Sequence, residues 1–299
     1  MCLSIDVGCF HAASARSFPQ SRGGAFLGNL IDGDDGLPAE EVGVWAKEKH
    51  HLLRRYVDIS RAVRRRWIGP TNAGATYIDL FCGPGRARVR KTGEWIEGSC
   101  ITAWKKSVEG GAPFSTVFIA DADAGKLEYA TERLRRLKAP VVPIHGRAVE
   151  TVKQIASRLH SSGLHFAFID PFNLGAFDFE VMRTLSRFKH IDMLVHVSKM
   201  DLQRNLGFNV GMQQTAFETF APGWRSSVNL GQSQPNIRRD VLDYWRGLVG
   251  SLGIDASTDM TLITGTRNQP LYWLLLVAKH DVAHKFWVSA INTGQGSLF

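Results

Sequence analysis

One glycine-rich turn in this 299-residue chain has the composition of a ligand cradle. The segment YIDLFCGPGR at 77–86 runs from an apolar stretch through Asp79 and Phe81 into Gly83 and Gly85. Glycine lets a backbone turn sharply and approach a ligand closely. The segment therefore predicts a strand, a turn and a small-molecule site, with a ligand-free tight turn as the structural alternative.

Three classes of cofactor can be compared with this turn. A P-loop requires G-x-x-x-x-G-K-[ST], which the chain lacks. A dinucleotide site requires a third glycine and a helix that opens at once, whereas the next helix is predicted only near residue 99. S-adenosyl-L-methionine carries no phosphate, and Asp121, at the end of the next apolar run, could accept hydrogen bonds from its ribose hydroxyls. The turn favours this cofactor, and the predicted contacts are Asp79, Phe81, Gly83, Gly85 and Asp121.

A second set of candidate residues follows a later apolar run, in the sequence FIDPFN. Asp170 could orient or deprotonate an acceptor group, and Pro171 restricts it to extended geometry. Phe172 could stack on a base, an interaction worth ~1–3 kcal/mol. We predict Asp170 and Phe172 as catalytic residues and Pro171 and Asn173 as substrate contacts. A strand-ending turn with a core phenylalanine is the alternative.

Further polar residues end neighbouring apolar runs. In VHVSKMDLQRN, Lys199 and Arg204 could bind phosphate, unless Asp201 pairs with one of them. His145 and His196 also lie at strand ends, where histidines more often belong to the core or the rim than to a catalytic set.

The elements that must position these residues alternate between strand and helix. Such alternation predicts a doubly wound, mostly parallel Rossmann-like α/β sheet with right-handed crossovers and both faces covered. The predicted strands are 76–81, 115–121, 141–146, 165–170 and 191–197. The predicted helices between them are 99–109, with Ser99 as N-cap, 123–138, 148–161 and 178–187. The segment RARVRKTGEWIE at 86–97 is predicted to form a small hairpin over the site.

The flanking segments complete the predicted domain. We predict a mobile tail at 1–35, an amphipathic helix at 45–67, an irregular and helical insert at about 200–255, a strand at 271–280 and a last helix at 281–291. The tail and one domain at 36–299 account for the whole chain.

The net charge of +8 favours an anionic partner, of which nucleic acid is the commonest. The arginine-rich helix supplies Arg64 and Arg65 as candidate contacts, and Arg86, Arg88 and Arg90 could extend the patch. A solvated basic surface is the alternative.

Several segments, in order, resemble the three-Cys-motif partner protein family. They are GVWAKEKHHLLRRY, YIDLFCGPGR, EGSCITAW, FIDPFN, YWLLLVAKH and GQGSLF. The resemblance implies a Rossmann-like methyltransferase fold and a neighbouring three-Cys-motif protein as partner. It places Asp79, Gly83 and Gly85 in the first cofactor motif and Asp121 at the ribose. It also places Asp170, Pro171 and Phe172 toward the substrate, similar to the D-P-P-[YFW] motif but without the second proline.

The resemblance also marks two departures from the class I methyltransferase pattern. Arg147 stands where an acid or amide commonly contacts adenine, and we include it among the predicted cofactor contacts. Cys82 stands where alanine is usual and is expected to pack in the core.

The other cysteines are Cys2, Cys9 and Cys100. Their spacing predicts no metal site or disulfide framework, and hence a cytoplasmic protein. No apolar run is long enough to cross a bilayer.

These observations predict an S-adenosylmethionine-dependent methyltransferase acting on nucleic acid or a nucleotide-like substrate. The first alternative is a non-catalytic module of the same fold that binds nucleic acid or the three-Cys-motif partner. The second is metal-dependent hydrolysis by Asp121, Asp123 and Asp170.

Overall fold

The computed structural model describes residues 30–69, 71–211 and 215–292, without the side chains of residues 208 and 209. The strands are β1 (Leu30–Asp32), β2 (Pro38–Val42), β3 (Ala75–Asp79), β4 (Arg86–Val89), β5 (Trp95–Glu97), β6 (Thr116–Asp121), β7 (Val141–His145), β8 (Leu164–Ile169), β9 (His190–Ser198), β10 (Asp255–Thr264) and β11 (Pro270–Ala278). The helices are α1 (Trp45–Ile59), α2 (Arg61–Arg65), α3 (Ser99–Glu109), α4 (Ala124–Arg136), α5 (Ala148–Ala156), α6 (Phe179–Leu185), α7 (Lys199–Arg204), α8 (Leu206–Gly211), α9 (Ala216–Phe220), α10 (Trp224–Ser227), α11 (Gln234–Gly250) and α12 (Asp281–Asn292).

The large sheet has seven strands in the order β10-β11-β9-β8-β3-β6-β7. β3, β6, β7, β8 and β9 are parallel to one another, whereas β11 is antiparallel to both β9 and β10. The chain moves outward from β3 to β7 and then returns to place β8 beside β3. The predicted doubly wound, mostly parallel Rossmann-like sheet is confirmed, and its topological switch point lies between β3 and β8.

Helices cover both faces of this sheet. Successive strand residues point to opposite faces, so Tyr77 packs in the core with α1, α3, α4 and α12, while Ile78 packs in the core with α5, α6 and α11. α1 buries Leu52, Leu53 and Tyr56 at helical spacing against the first of these cores. The carboxyl ends of the parallel strands lie together at one edge, which is where open α/β sheets bind their ligands.

A small second sheet, in the order β1-β2-β4-β5, lies beside the glycine turn. β4 and β5 form the predicted hairpin, and β4 also pairs in parallel with β2. β1 lies within 30–35, so the structure begins before the boundary that was predicted at residue 36. The remainder of the predicted tail, 1–29, lies outside the described residues.

Other sequence-based boundaries are corrected by local contacts. The helix predicted at 45–67 breaks at Ser60, whose hydroxyl donates to the carbonyl oxygen of Tyr56 at 2.8 Å. Gly98, not Ser99, is the N-cap of α3, because the Ser99 hydroxyl donates instead to Asp79. The predicted insert contains the helices α7 to α11, and β10 follows it as an unpredicted strand.

The polar face of β10 explains why that strand was missed. Its sequence DASTDMTLIT is mostly exposed or half-buried at the sheet edge and shows no continuous apolar run.

Among the helices of the described chain, none is long and apolar enough to span a membrane.

Candidate functional site

The carboxyl edge of the large sheet gathers the acids singled out in the sequence. Asp79 ends β3, Asp121 ends β6 and Asp170 directly follows β8. The parallel register pairs Ile169 with Val195, so Asp170 and His196 lie side by side beyond the switch point. Ligands of open α/β sheets bind at this edge.

Asp79 stabilises the turn from inside the core. Its carboxylate is fully buried and accepts hydrogen bonds from the Ser99 hydroxyl (2.6 Å), the Tyr77 hydroxyl (3.2 Å) and the Phe81 backbone N–H (3.2 Å). Burial raises the pKa of Asp79 to about 7 despite these donors. These contacts give Asp79 a role in shaping the turn, and direct contact of Asp79 or Phe81 with a cofactor stays a prediction.

Gly83 and Asp121 join two strand ends. The Gly83 backbone N–H donates to one Asp121 carboxylate oxygen and the Asp123 N–H to the other, both at 2.9 Å. Burial raises the pKa of Asp121 above its usual value. Gly83 has a φ of +56°, which favours glycine.

One face of Gly83 is open apart from a single flexible side chain. Of the described residues, only Glu40 comes within 4 Å of the position that a Cβ on Gly83 would take, with its carboxylate oxygen at 3.4 Å. That carboxylate also pairs with Lys126 of α4 at 2.5 Å. The Gly83 backbone is therefore approachable on this side once the flexible Glu40 side chain moves, and Asp121 beside it can accept hydrogen bonds from hydroxyl groups.

Gly85 is explained by packing. It is buried with a φ of +81°, and a Cβ there would meet the Ala130 Cα at 3.3 Å. A Cβ on Gly98 would in turn lie 2.8 Å from the Gly85 Cα, so the two backbones touch. These contacts require glycine without any ligand, and a cofactor contact by Gly85 stays a prediction. Cys82 is buried, in agreement with the expected packing role.

The end of β7 borders the same space. The Gly146 N–H donates to the Asp121 backbone carbonyl at 3.1 Å, and Arg147 follows as an exposed residue at the start of α5. A ring nitrogen of His145 lies 3.1 Å from the Ala122 carbonyl oxygen. Arg147 is therefore accessible at the strand edge, and its contact with adenine stays a prediction.

Asp170 is the centre of a compact polar cluster. Lys49 of α1 pairs with one of its oxygens, and His196 Nδ1 lies 2.7 Å from the other. The His196 ring packs on Tyr272 of β11 with centroids 3.9 Å apart. Burial acts to raise the pKa of Asp170, but Lys49 and His196 hold it well below its usual range. The cluster thus presents an ionised carboxylate, an ammonium group, an imidazole and a phenol.

Phe172 projects from the turn that follows Asp170. Its side chain is 81% exposed, so the alternative of a core phenylalanine is wrong. Pro171 is buried, and the Asn173 side-chain oxygen accepts the Ala176 N–H at 2.9 Å to cap a short 3₁₀ turn. Phe172 is thus free to stack on a ligand, whereas the Asn173 oxygen already has a partner.

The residues after β9 lie on the same side. Lys199 lies over the Trp273 ring at 4.8 Å, and Arg204 is exposed at the end of α7. Asp201 accepts the Leu174 backbone N–H at 2.9 Å and forms no ion pair with Lys199 or Arg204 in the described chain. The proposed Asp201 ion pair is therefore wrong.

Arg64 does not belong to a nucleic-acid surface. It is 2% exposed, donates through Nε to the Ala112 carbonyl at 2.7 Å, and packs on Phe114. This corrects its prediction as a substrate contact: its charge had grouped it with the polar residues of the predicted helix, but Arg64 follows the buried Val57 by seven residues, two helical turns, and therefore lies on the same inward face. Arg65 is exposed and donates to the carbonyl of Gly110 at 2.8 Å.

The other arginines of the expected basic patch have acidic or carbonyl partners. Arg86 pairs with Asp34 at 2.5 Å and Arg88 with Glu41 at 2.6 Å, and Arg90 donates to the Glu41 carbonyl. Much of the positive charge on the small sheet is therefore compensated locally.

The three acids of the hydrolytic alternative do not converge. Asp121 and Asp123 share one turn, where Asp123 caps α4 through the N–H groups of Gly125 and Lys126, while Asp170 is engaged with Lys49 and His196. Within the ranges that the structure describes, no group of three or more His, Cys, Asp or Glu side chains could hold a metal ion.

Lys49, Glu40 and Tyr272 were not identified from the sequence, and His196 was interpreted as a core or rim residue. His196 carried a detectable signal, since the FIDP and LVHVS segments end adjacent parallel strands. Lys49 and Tyr272 carried none, because their positions depend on how α1 and β11 dock.

Comparisons with known proteins found similarity only to solved structures. No family model matches the chain, and no curated protein matches it. An O-methyltransferase from Bacillus cereus, in complex with SAH, is 13% identical with a TM-score of 0.45, covering 82% of this chain and 86% of that chain.

Two further solved structures are similar at the same distant level. The O-methyltransferase TomG from Streptomyces achromogenes, involved in tomaymycin synthesis and in complex with SAM, is 12% identical with a TM-score of 0.45, covering 78% of this chain and 80% of that one. TYW2 from M. jannaschii, in complex with AdoMet, is 9% identical with a TM-score of 0.41, and the match covers 79% of this chain and 76% of that one. The ligands and activities named here are those of the solved proteins.

Proposed function

We propose that this protein is an S-adenosylmethionine-dependent methyltransferase with a nucleotide-like acceptor. The observation that carries the proposal is the hydrogen bond from the Gly83 N–H to the Asp121 carboxylate at the carboxyl ends of β3 and β6, where, of the described residues, only Glu40 approaches the position of a Gly83 Cβ. A half-buried carboxylate beside a glycine backbone suits an adenosine whose ribose hydroxyls donate to it.

The charge around the turn fits the same cofactor. S-adenosylmethionine has a sulfonium and an ammonium group against one carboxylate, and the Glu40 carboxylate lies beside Gly83 where it can face positive charge. Phe81 precedes the turn and Arg147 follows β7, so both are candidate contacts of the cofactor. When bound, the cofactor supplies a methyl group on a positively charged sulfur.

The acceptor side is formed by the cluster beyond β8. Phe172 provides an exposed aromatic face for a base, and Lys199 and Arg204 provide cations for a phosphate. Asp170 orients the acceptor, with Pro171 and Asn173 fixing the turn that holds it. Methyl transfer is a displacement between two positioned groups, so holding both in line supplies much of the rate acceleration.

A nucleotide-sized acceptor suits the charges better than a long nucleic acid, because Arg64 is buried and Arg86 and Arg88 are paired. Membership of the three-Cys-motif partner family, a protein partner of that kind and a cytoplasmic location are parts of the same proposal. They are supported by the sequence segments and the cysteine spacing given above.

The second candidate is a non-catalytic module that keeps this fold and binds nucleic acid or the partner protein. The buried and partnered state of Asp79 and Gly85 favours it, since both have structural roles without a cofactor. Turnover measured with a labelled methyl donor excludes this candidate.

Isothermal titration with S-adenosylhomocysteine tests the cofactor assignment. We expect the wild type to bind, and Asp121→Asn to weaken binding about tenfold, equivalent to about 1.4 kcal/mol, because it loses a charge-assisted hydrogen bond. Asp123→Asn is the matched control, since it removes the same charge two residues away and asparagine still caps α4.

Two other outcomes have distinct meanings. No binding by the folded wild type at millimolar ligand rejects the methyltransferase proposal. Equal affinity of Asp121→Asn and the wild type rejects only the ribose role of Asp121.

A further inference from the structure

Two buried polar atoms at the acceptor side have no partner. In the described chain, neither His196 Nε2 nor the Tyr272 hydroxyl makes a hydrogen bond, although the two residues are only 8% and 4% exposed. An unsatisfied buried polar group costs about 1–3 kcal/mol. Two such groups on rings in contact beside Asp170, with planes tilted by 57°, indicate a place where a ligand supplies the missing partners.

The hydrogen bond to Asp170 fixes the tautomer of His196. An ionised carboxylate only accepts, so Nδ1 must carry the proton that it donates to Asp170 at 2.7 Å. The neutral ring then has a lone pair on Nε2, which is the unpartnered atom. Burial lowers the pKa of His196, which keeps the ring neutral near pH 7 and ready to accept a proton.

Charged and titratable groups face this imidazole from four elements. They are Asp170 after β8, Lys49 of α1, Tyr272 of β11 and Asp201 of α7. Asp170 and Asp201 favour an imidazolium, whereas Lys49 opposes it. Burial also raises the pKa of Tyr272, which keeps its hydroxyl protonated and able to donate to an oxygen.

We propose that His196 is the proton acceptor for a hydroxyl group of the acceptor, held between His196 Nε2 and the Tyr272 hydroxyl. This assignment rests on the methyltransferase function proposed above and narrows its acceptor to an oxygen nucleophile. Asp170 acts through His196 as a positioning residue.

The chemistry balances without any further reactant. The acceptor O–H bond breaks and its proton passes to the Nε2 lone pair, giving an imidazolium stabilised by the Asp170 carboxylate. The acceptor oxygen bonds to the transferred methyl carbon, and the cofactor sulfur keeps the electron pair of the broken S–C bond. The Nε2 proton is afterwards released to water.

The first test needs no variant. Nitrogen-15 NMR of the imidazole rings in the full chain is expected to show His196 protonated on Nδ1 and bare on Nε2 at neutral pH. A proton on Nε2 instead would overturn the proposal, because that nitrogen could not then accept one.

The second test uses 4-nitrophenol as an absorbing hydroxyl probe with the S-adenosylhomocysteine complex. We expect bound probe to shift toward its phenolate band in the wild type, and this shift to fall at least tenfold in His196→Gln. His165→Gln is the matched control, because His165 is also buried in this sheet but lies at the opposite end of β8. We expect it to match the wild type.

The outcomes separate this proposal from the methyltransferase function. If adenosylhomocysteine binds but the wild type leaves the probe spectrum unchanged, His196 is not the proton acceptor and the cofactor assignment stands. If His196→Gln behaves as the wild type does, the proposal is likewise overturned. If the probe shifts but adenosylhomocysteine does not bind, the cofactor assignment fails and proton acceptance by His196 stands.

Discussion

Buried carboxylates at the strand ends have opposite electrostatic environments. Asp79 is surrounded by neutral donors, so burial dominates and its pKa rises to about 7. Asp170 keeps 15% of its side chain exposed and contacts the Lys49 ammonium, which holds its pKa below the usual range. The two acids at the ends of adjacent strands are thus suited to different tasks. Asp79 fixes the turn through hydrogen bonds, whereas Asp170 stays ionised and supplies a negative charge.

The raised pKa of Asp79 predicts a pH-dependent stability. Between about pH 4 and pH 7 the folded state binds a proton at Asp79 that the unfolded state has released, so the free energy of unfolding falls as pH rises through this window. Because the lowered pKa values of buried His50 and His165 act in the opposite direction over the same window, urea unfolding of the wild type must be compared with that of Asp79→Asn at each pH. In Asp79→Asn the part due to Asp79 should vanish, and an identical pH slope in both proteins would contradict the assignment.

At the scale of elements, one arginine of α4 joins the small sheet to the glycine turn. Arg133 donates to both oxygens of Asp35 at 2.7 Å and to the carbonyls of Leu37, Pro38 and Pro84. Pro84 lies between the two glycines of the turn, so this side chain fixes the position of β2 and, with it, Glu40 beside Gly83.

Removal of this arginine should be costly. Arg133→Ala removes the donor to the buried carbonyls of Leu37 and Pro84, and we expect a loss of about 1–3 kcal/mol in the free energy of unfolding. Arg136→Ala is the matched control on the same helix, since its exposed pair with Glu132 is expected to contribute under about 1 kcal/mol. Equal losses measured by denaturant unfolding would contradict the linking role of Arg133.

At the scale of the molecule, net charge is a poor guide to the free positive surface. The chain carries +8, yet Lys47 and Arg54 of α1 pair with Glu94 and Glu109, and Lys105 of α3 pairs with Glu97 of β5. Cations in such ion pairs neutralise few phosphates, because their acidic partners already compensate the positive charge. The acceptor rim, with Arg204 exposed on α7, is the better candidate for an anionic ligand.

The salt dependence of oligonucleotide binding tests this distribution of charge. We expect a single-stranded RNA to bind with a log–log salt slope shallower than about −3, since few phosphates are contacted. Arg204→Glu should weaken this binding several-fold, whereas Arg66→Glu, the same change on an exposed arginine after α2, should leave it unchanged. A steep slope that Arg66→Glu reduces would favour the nucleic-acid-binding module.

The prediction from sequence was best where structure is specified locally. The five parallel strands and the helices between them follow from apolar runs and helical periodicity, as does the glycine turn at the end of β3. The short acidic strands β1 and β2 and the edge strand β10 were missed, because their pairing depends on partners elsewhere in the chain. The burial of Arg64 was missed because its charge was taken to mean exposure, although its spacing from Leu53 and Val57 places it on their face.

The sequence by itself thus determined the order along the chain of the strands and helices of the parallel sheet. It also determined the turn that follows the first of these strands and the acids that end them. Only the tertiary structure decided that Lys49, 121 residues before Asp170, pairs with it and that His196 and Tyr272 complete the cluster. The physical reason is that short-range patterns encode backbone elements, whereas a site made from four elements exists only once packing of their apolar faces has fixed how they dock.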